Sequence, residues 1–286
     1  MFSMKILITG ANGMLGKDLA SLFESRGHAV IKTDRKDLDI TSRDEVLERV
    51  RKIGPDLVIN AAAYNFVDKV EEPEIYPLAF AVNAEGPRNL AEASALSGIP
   101  FVHYSTDYVF AGTKPEGYSE EDTTGPVSKY GETKEAGERF VQEIGGKYYI
   151  CRLSKIFGKP GLSEESKESF VALMLRLAET MPELNIVHEE VGSPGYTPDI
   201  AKATLELLNG EYEPGIYHIV NDGRGVTWHE FANEIFEIAG VNVKSNPVTS
   251  AEFPKPAERP KFAPLINNKL PKLRDRKEAL CEFLGG

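Results

Sequence analysis

The sequence predicts an α/β fold: a doubly wound parallel sheet of Rossmann type with a smaller C-terminal lobe. Short apolar runs of strand length alternate with longer amphipathic segments through the first half, the pattern of βαβ units. A glycine-rich turn follows the first of those runs directly and opens a helix. Beyond about Gly240 a series of prolines ends the periodicity.

Taken in order, Lys5–Thr9 is the first strand and Gly10-Ala11-Asn12-Gly13-Met14-Leu15-Gly16 the turn that leads into a helix. Ala29–Thr33 is the second strand. Ser42-Arg43-Asp44-Glu45 then reads as a capping box, in which hydroxyl and carboxylate each satisfy a backbone N–H at a helix start. Leu57–Asn60 and Phe101–Ser105 are the next two strands, and the segment from Tyr130 through Ala136, Phe140 and Val141 is helical. Tyr148–Leu153 is a further buried strand and Gly215–Ile219 another. Thr227-Trp228-His229-Glu230 is a second capping box. After it, Pro247, Pro254, Pro256, Pro260, Pro264 and Pro271 leave loops, short strands and a terminal helix. The expected division is a core over 4–225, with loops near 155–166 and 190–196 facing the ligand, and a lobe over 226–286.

Composition bounds the rest. The chain has 286 residues, 41% hydrophobic and 27% charged, enough apolar content for a large core and far from the disordered regime. Its net charge of −11 is spread along the chain, which argues against nucleic acid as a partner. A diphosphate ligand would therefore need local donors: backbone N–H groups, helix N-termini and a few Arg or Lys. Cys151 and Cys281 lie far apart without metal-type spacing, so neither a disulfide framework nor a zinc site is expected. Met1-Phe2-Ser3-Met4 runs straight into the first strand with no signal-peptide pattern, so a cytoplasmic protein with no membrane association is expected.

The glycine-rich turn carries a ligand expectation because of its setting. Strand, glycines, helix and a second strand ending in an acidic residue follow one another as in a dinucleotide site, where a pyrophosphate rests on free N–H groups at a helix N-terminus. Gly10, Asn12, Gly13, Met14, Leu15 and Gly16 form that cradle. Asp34 stands where a carboxylate would hold the ribose hydroxyls of NAD, while Arg35 beside it would suit a 2′-phosphate. The choice between NADH and NADPH stays open.

Tyr130 and Lys134 stand one helical turn apart on one face. A phenol with an ordinary pKa of about 10 is neutral at pH 7 and can protonate a developing alkoxide, and a neighbouring ammonium eases its proton loss. An isolated pair of this kind is usually a solvated helix face. Here Ser105-Thr106-Asp107 ends the Phe101–Ser105 strand, at the carboxyl edge of the sheet where ligands bind, and Thr106 is placed to donate to a substrate carbonyl.

The spacing Gly-x-x-Gly-x-x-Gly, the Asp39-Ile40 pair after the second strand and Asn60-Ala61-Ala62-Ala63 after the third resemble the extended short-chain dehydrogenase/reductase superfamily. That resemblance implies cofactor contacts from Asp39, Ile40, Ala61, Ala62, Ala63, Tyr130 and Lys134, and a triad of Thr106, Tyr130 and Lys134 working with NADPH or NADH. Further stretches narrow it: Tyr64 with Val67-Asp68-Lys69-Val70-Glu71, Val82-Asn83-Ala84-Glu85-Gly86-Pro87-Arg88-Asn89-Leu90, and Ser105-Thr106-Asp107-Tyr108-Val109-Phe110-Ala111-Gly112. With Tyr130-Gly131-Glu132-Thr133-Lys134-Glu135-Ala136-Gly137-Glu138 and Arg259-Pro260-Lys261, these resemble the dTDP-4-dehydrorhamnose reductase family over nearly the whole chain. The resemblance implies reduction of a 4-keto nucleotide sugar. Its implied substrate contacts are Thr106, Asp107, Lys155 and Arg259, with the C-terminal lobe as the substrate lobe and a monomer or homodimer as the assembly.

One departure stands out. Where the family usually reads Arg-Thr-Ser-Trp-Val-(Tyr/Phe)-Gly, the chain reads Arg152-Leu153-Ser154-Lys155-Ile156-Phe157-Gly158, so a flat aromatic becomes a flexible cation; Gly195 also stands where Thr is frequent. Alternatives of the same fold are a nucleotide-sugar epimerase or dehydratase and a regulatory subunit like that of methionine adenosyltransferase. Tyr108 after Thr106-Asp107 argues against the dehydratase, which usually carries Glu there. His103 and His218 read as packed residues, and His28, His188 and His229 lack metal-type partners, so no metal site is assigned. Glu71, Glu72, Glu74, Glu120, Glu121 and Asp122 read as solvated surface, and Trp228 as a core anchor.

Overall fold

The computed structural model describes residues 3–163 and 166–285. In strand β1 (Lys5–Thr9), Ile6 and Ile8 face one side of the sheet and Leu7 the other, all fully buried, as expected for a parallel strand covered on both faces. Helix α1 (Met14–Ser25) returns the chain to β2 (Ala29–Thr33), and α2 (Arg43–Ile53) leads to β3 (Leu57–Asn60). Next, α3 (Tyr76–Phe80) and α4 (Gly86–Leu96) are joined through a π-helical turn at Ala81–Glu85 and precede β4 (Phe101–Thr106). Helix α5 (Lys129–Ile144) and β5 (Tyr148–Leu153) complete the first half of the chain. The remaining elements are β6 (Ile156–Phe157), α6 (Phe170–Ala178), β7 (Glu183–Val187), β8 (Gly195–Tyr196), α7 (Thr197–Asn209), β9 (Gly215–His218), α8 (Trp228–Ala239), β10 (Lys244–Val248) and α9 (Arg276–Leu284).

Six strands form the central sheet in the order β2-β1-β3-β4-β5-β9, every pair parallel. The order reverses between β1 and β3, and the carboxyl ends there open the crevice of a doubly wound fold. One face packs Ile6, Ile8, Val102, Tyr149 and Cys151 against Leu19 and Phe23 of α1 and Ile200 and Leu207 of α7. The other packs Leu7, Val58, Phe101 and Ile150 against Val46 and Val50 of α2, Leu90 of α4 and Val141 of α5.

The expected split at 225 does not describe the packing. Phe157, Val171, Met174, Leu184 and Ile186 share an apolar cluster with Phe231, Ile235, Ala279 and Leu280, and β7 pairs in parallel with β10. The second lobe thus draws on two stretches of chain. With both faces of the central sheet already covered, the apolar side of α6 finds its partners on α8. Two local expectations also change. Ser42 makes no side-chain cap, and Glu45 instead accepts from the Asp39 N–H at 3.2 Å. Glu120 is buried, not solvated: it takes the backbone N–H groups of His218 and Asn268 at 3.3 and 3.2 Å. The Thr227–Glu230 box forms with both hydrogen bonds. Among the described residues no helix is long and apolar enough to cross a membrane, and no cluster of His, Cys, Asp or Glu is arranged to hold a metal ion.

Candidate active site

The glycine-rich loop is closely packed. A Cβ on Gly10 would lie 2.5 Å from the Ala62 backbone nitrogen, and one on Gly16 would lie 2.1 Å from the Gly10 carbonyl oxygen. Gly13 caps α1 with no side-chain hydrogen bond, and no acidic residue stands in the first turn, so the helix end keeps the donors and positive dipole that suit a pyrophosphate. The segment after β6 reaches back to this loop, where the Leu162 N–H donates to the Asn12 carbonyl at 2.7 Å. At the end of β2, Asp34 accepts from Asn12 Nδ2 at 3.0 Å and from the Lys36 N–H at 2.8 Å; that backbone donor holds its carboxyl below the usual range. Ile40 is buried against Gly86, and its carbonyl accepts from Asn89, which fixes the Asp39-Ile40 segment beside α4. These residues fit a dinucleotide.

Across the crevice, the Ser128 hydroxyl caps α5 by accepting from the Gly131 N–H, and Tyr130, Lys134 and Glu138 follow at successive turns, all buried. Gly137 lets the helix approach the π turn, since a Cβ there would lie 2.2 Å from the Asn83 carbonyl oxygen. Asn83 itself binds both backbone groups of Tyr64 and the Thr133 hydroxyl. Burial pushes the Tyr130 phenol well above its ordinary value, with Asp107 adding to the rise and the Thr106 hydroxyl opposing it through a hydrogen bond. Tyr130 is therefore a neutral acid.

Lys134 Nζ donates to the Tyr104 carbonyl at 2.7 Å and lies 3.5 Å from His103 Nε2. Asn60 Oδ1 accepts from Thr9 Oγ1 and the Ala62 N–H, which turns Asn60 Nδ2 toward His103 Nδ1 at 3.1 Å. His103 Nδ1 is thus the acceptor and Nε2 carries the proton. Burial keeps this imidazole neutral, far below its ordinary pKa. Burial also lowers Lys134 to about 8, with Glu138 opposing. Glu138 holds Arg152 of β5 through bonds of 2.9, 3.2 and 2.7 Å, both side chains being 2% exposed.

Thr106 sits at the tip of β4 as expected, but its proton is directed to Asp107 Oδ1 at 2.9 Å, while its oxygen accepts from the Tyr108 N–H at 3.2 Å. Ser154 donates to the other Asp107 oxygen at 2.5 Å. Burial raises the Asp107 carboxyl, against the stabilising hydroxyls. Lys155, next along the chain, donates to the Glu190 carbonyl at 2.8 Å and rests 3.7 Å from the centre of the Trp228 ring. Trp228 is not simply a core anchor: it packs at a tilt against Phe170, donates to Glu190 Oε2 at 2.9 Å and presents a face to this ammonium.

Between the lobes, Arg259 grips Asp68 with two bonds of 2.8 Å. Lys255 and Lys167 lie in the same field; burial lowers both, and each interacts with Asp68 and Arg259. Lys69 and Lys167 both sit over the Phe66 ring, at 5.1 and 4.6 Å. Three cations, Arg259, Lys255 and Lys167, thus share the field of Asp68, with Lys69 beside Lys167 and Glu190 acting on Arg259 and Lys255. Met14 and Leu15 open α1, while Arg35 follows β2 and Ala61 and Ala63 follow β3 in the connecting loops. Sequence reasoning missed Ser154, Glu138, Lys69, Lys167 and Lys255. Glu138 was readable from its helical spacing to Lys134, whereas the lysines are brought together only by folding.

The chain matches the family described as RmlD substrate binding domain over residues 4–283. It is 38% identical over 278 residues to a dTDP-4-dehydrorhamnose reductase of Sinorhizobium fredii, covering 93% of this chain and 90% of that one. It is 35% identical to the spore coat polysaccharide biosynthesis protein SpsK of Bacillus subtilis, covering 98% and 96%. The crystal structure of a dTDP-4-dehydrorhamnose reductase from Bacillus anthracis in complex with NADP superposes with a TM-score of 0.92 at 38% identity, over 99% of each chain.

Proposed function

The chain belongs to the dTDP-4-dehydrorhamnose reductase family, and from that premise we propose that it reduces the 4-keto group of dTDP-4-dehydro-rhamnose to give dTDP-rhamnose, with NADPH as the reductant. The observation that carries the reading is the meeting of a buried, neutral Tyr130 with Thr106 at the sheet edge, one turn from a buried Lys134. A bound reduced nicotinamide supplies the hydride for the carbonyl carbon. The chain's own groups do the rest.

Tyr130 delivers its proton to the carbonyl oxygen as negative charge develops there. Lys134, cationic at pH 7, stabilises the phenolate left behind, and its tie to the Tyr104 carbonyl fixes it beside the crevice. Thr106 and Asp107 hold the oxygen's surroundings polar. The glycine-rich loop and the α1 N-terminus take the cofactor's pyrophosphate, with Asp34 and Arg35 at its adenosine ribose. Lys69, Lys167, Lys255 and Arg259 take the diphosphate of the nucleotide sugar, for which a chain of net charge −11 needs concentrated local cations.

The test is oxidation of NADPH, and separately NADH, by purified protein with dTDP-4-dehydro-rhamnose, beside Tyr130→Phe. Turnover that falls by roughly 10²–10⁴-fold in the variant, with cofactor binding kept, is the expected result. A fully active Phe variant removes Tyr130 from the mechanism.

A further inference from the structure

Lys155 is the sole non-glycine residue with positive φ, 41°, among the described residues. Left-handed backbone at a non-glycine residue is costly and persists where the surroundings over-determine it. Those surroundings are specific. The stem of Lys155 runs over Gly192, where a Cβ would lie 2.5 Å from Lys155 Cε. Its ammonium is held between the Glu190 carbonyl, at 2.8 Å, and the Trp228 face, at 3.7 Å. Glu190 is buried and ties itself to Trp228 through Oε2, so the two walls of the cage brace one another.

The position of this cage is functional. Lys155 follows β5 at the carboxyl edge of the sheet, and the preceding residue, Ser154, donates to Asp107, which in turn accepts from Thr106. An ammonium has three N–H donors. One is spent on Glu190 and a second faces the ring, and no described residue takes the third; burial lowers this group to about 7, with Asp107 and Glu190 opposing, so the third donor belongs to the form present below that pH.

We propose that Lys155 is a specificity-determining residue, whose ammonium donates to a hydroxyl of the nucleotide-linked sugar and so selects sugars that carry that hydroxyl. This rests on the reductase reading of the site and deepens it. An aromatic side chain at this position would instead offer area to an apolar face of the ring and accept a sugar with or without the hydroxyl.

The experiment is a cycle of enzyme against substrate. Wild type and Lys155→Met are assayed in the oxidising direction with NADP⁺, using dTDP-rhamnose and its 2-deoxy and 3-deoxy analogues. Met keeps the stem and deletes the donors. For one analogue, kcat/KM of the wild type is expected to fall by about 10–150-fold, the range of a charge-assisted hydrogen bond, while Lys155→Met loses less than about threefold. Lys155→Gln, which retains an N–H donor, is expected to fall between them, and it carries the comparison if the Met variant does not fold. Equal losses in wild type and variant on both analogues overturn the proposal. A wild type that binds NADP⁺ yet leaves dTDP-rhamnose itself untouched overturns the reductase reading, a separate result.

Discussion

Removing the Glu138 carboxylate tests the polar layer beneath the active site. Glu138 and Arg152 are each 2% exposed and share three hydrogen bonds, while Arg152 Nη1 is buried without a partner among the described residues. Glu138→Leu leaves a guanidinium in a dry interior with no counter-charge, and such a loss costs about 3–5 kcal/mol. Against a typical total of about 5–15 kcal/mol, that is a large shift in the urea midpoint. The pair itself need not be stabilising, because well-packed apolar replacements of buried ion pairs are often neutral or better. Glu138→Leu with Arg152→Met should therefore recover most of the loss. A single variant within about 1 kcal/mol of wild type would refute the reasoning, as would a double variant no better than the single. The milder Glu138→Gln adds a functional reading: Glu138 is the group that holds Lys134 up against burial, so the alkaline fall in kcat should move to lower pH.

Four further outcomes are expected. Turnover of the wild type should fall as pH rises through about 8, where Lys134 loses its charge, and a kcat–pH profile checks this. Because that value lies below the ordinary 10.5, the unfolded chain binds more protons between the two, so this group's contribution to stability rises with pH across that window, measurable by denaturation at pH 8 and 10. Gly16→Ala drives a Cβ to 2.1 Å from the Gly10 carbonyl, and overpacking of about 1–3 kcal/mol should weaken NADPH binding roughly 5–150-fold in a fluorescence titration. Arg259→Met should raise KM for the nucleotide sugar by about tenfold or more, with kcat changed only a few-fold; an unchanged KM would remove the cationic mouth from substrate binding.

Strands β1, β3, β4 and β5 were legible because their apolar runs are buried, and edge strand β2 because it follows α1 in the βαβ rhythm. The geometry of the candidate site was legible where spacing is local: glycines at i, i+3 and i+6 around one loop, and Tyr130 with Lys134 one turn apart on a helix that buries that face. Ser42 misled because a capping box is a local option, and Glu45 had a better acceptor's role with the Asp39 N–H. Glu120 misled because its partners, His218 and Asn268, lie some 100 and 150 residues further along the chain.

By itself, then, the sequence determined the parallel sheet, the glycine-rich loop between β1 and α1 and the shared helix face of Tyr130 and Lys134, since each depends on periodicity or contacts within a few residues. Tertiary structure alone decided that α6 and β7 join the second lobe, that the Thr106 proton points at Asp107, and that Lys155 lies on Trp228. It also gathered Lys167, Lys255 and Arg259 around Asp68. These arrangements depend on burial and on partners distant in the chain, whose positions are set only when the two lobes close on one another.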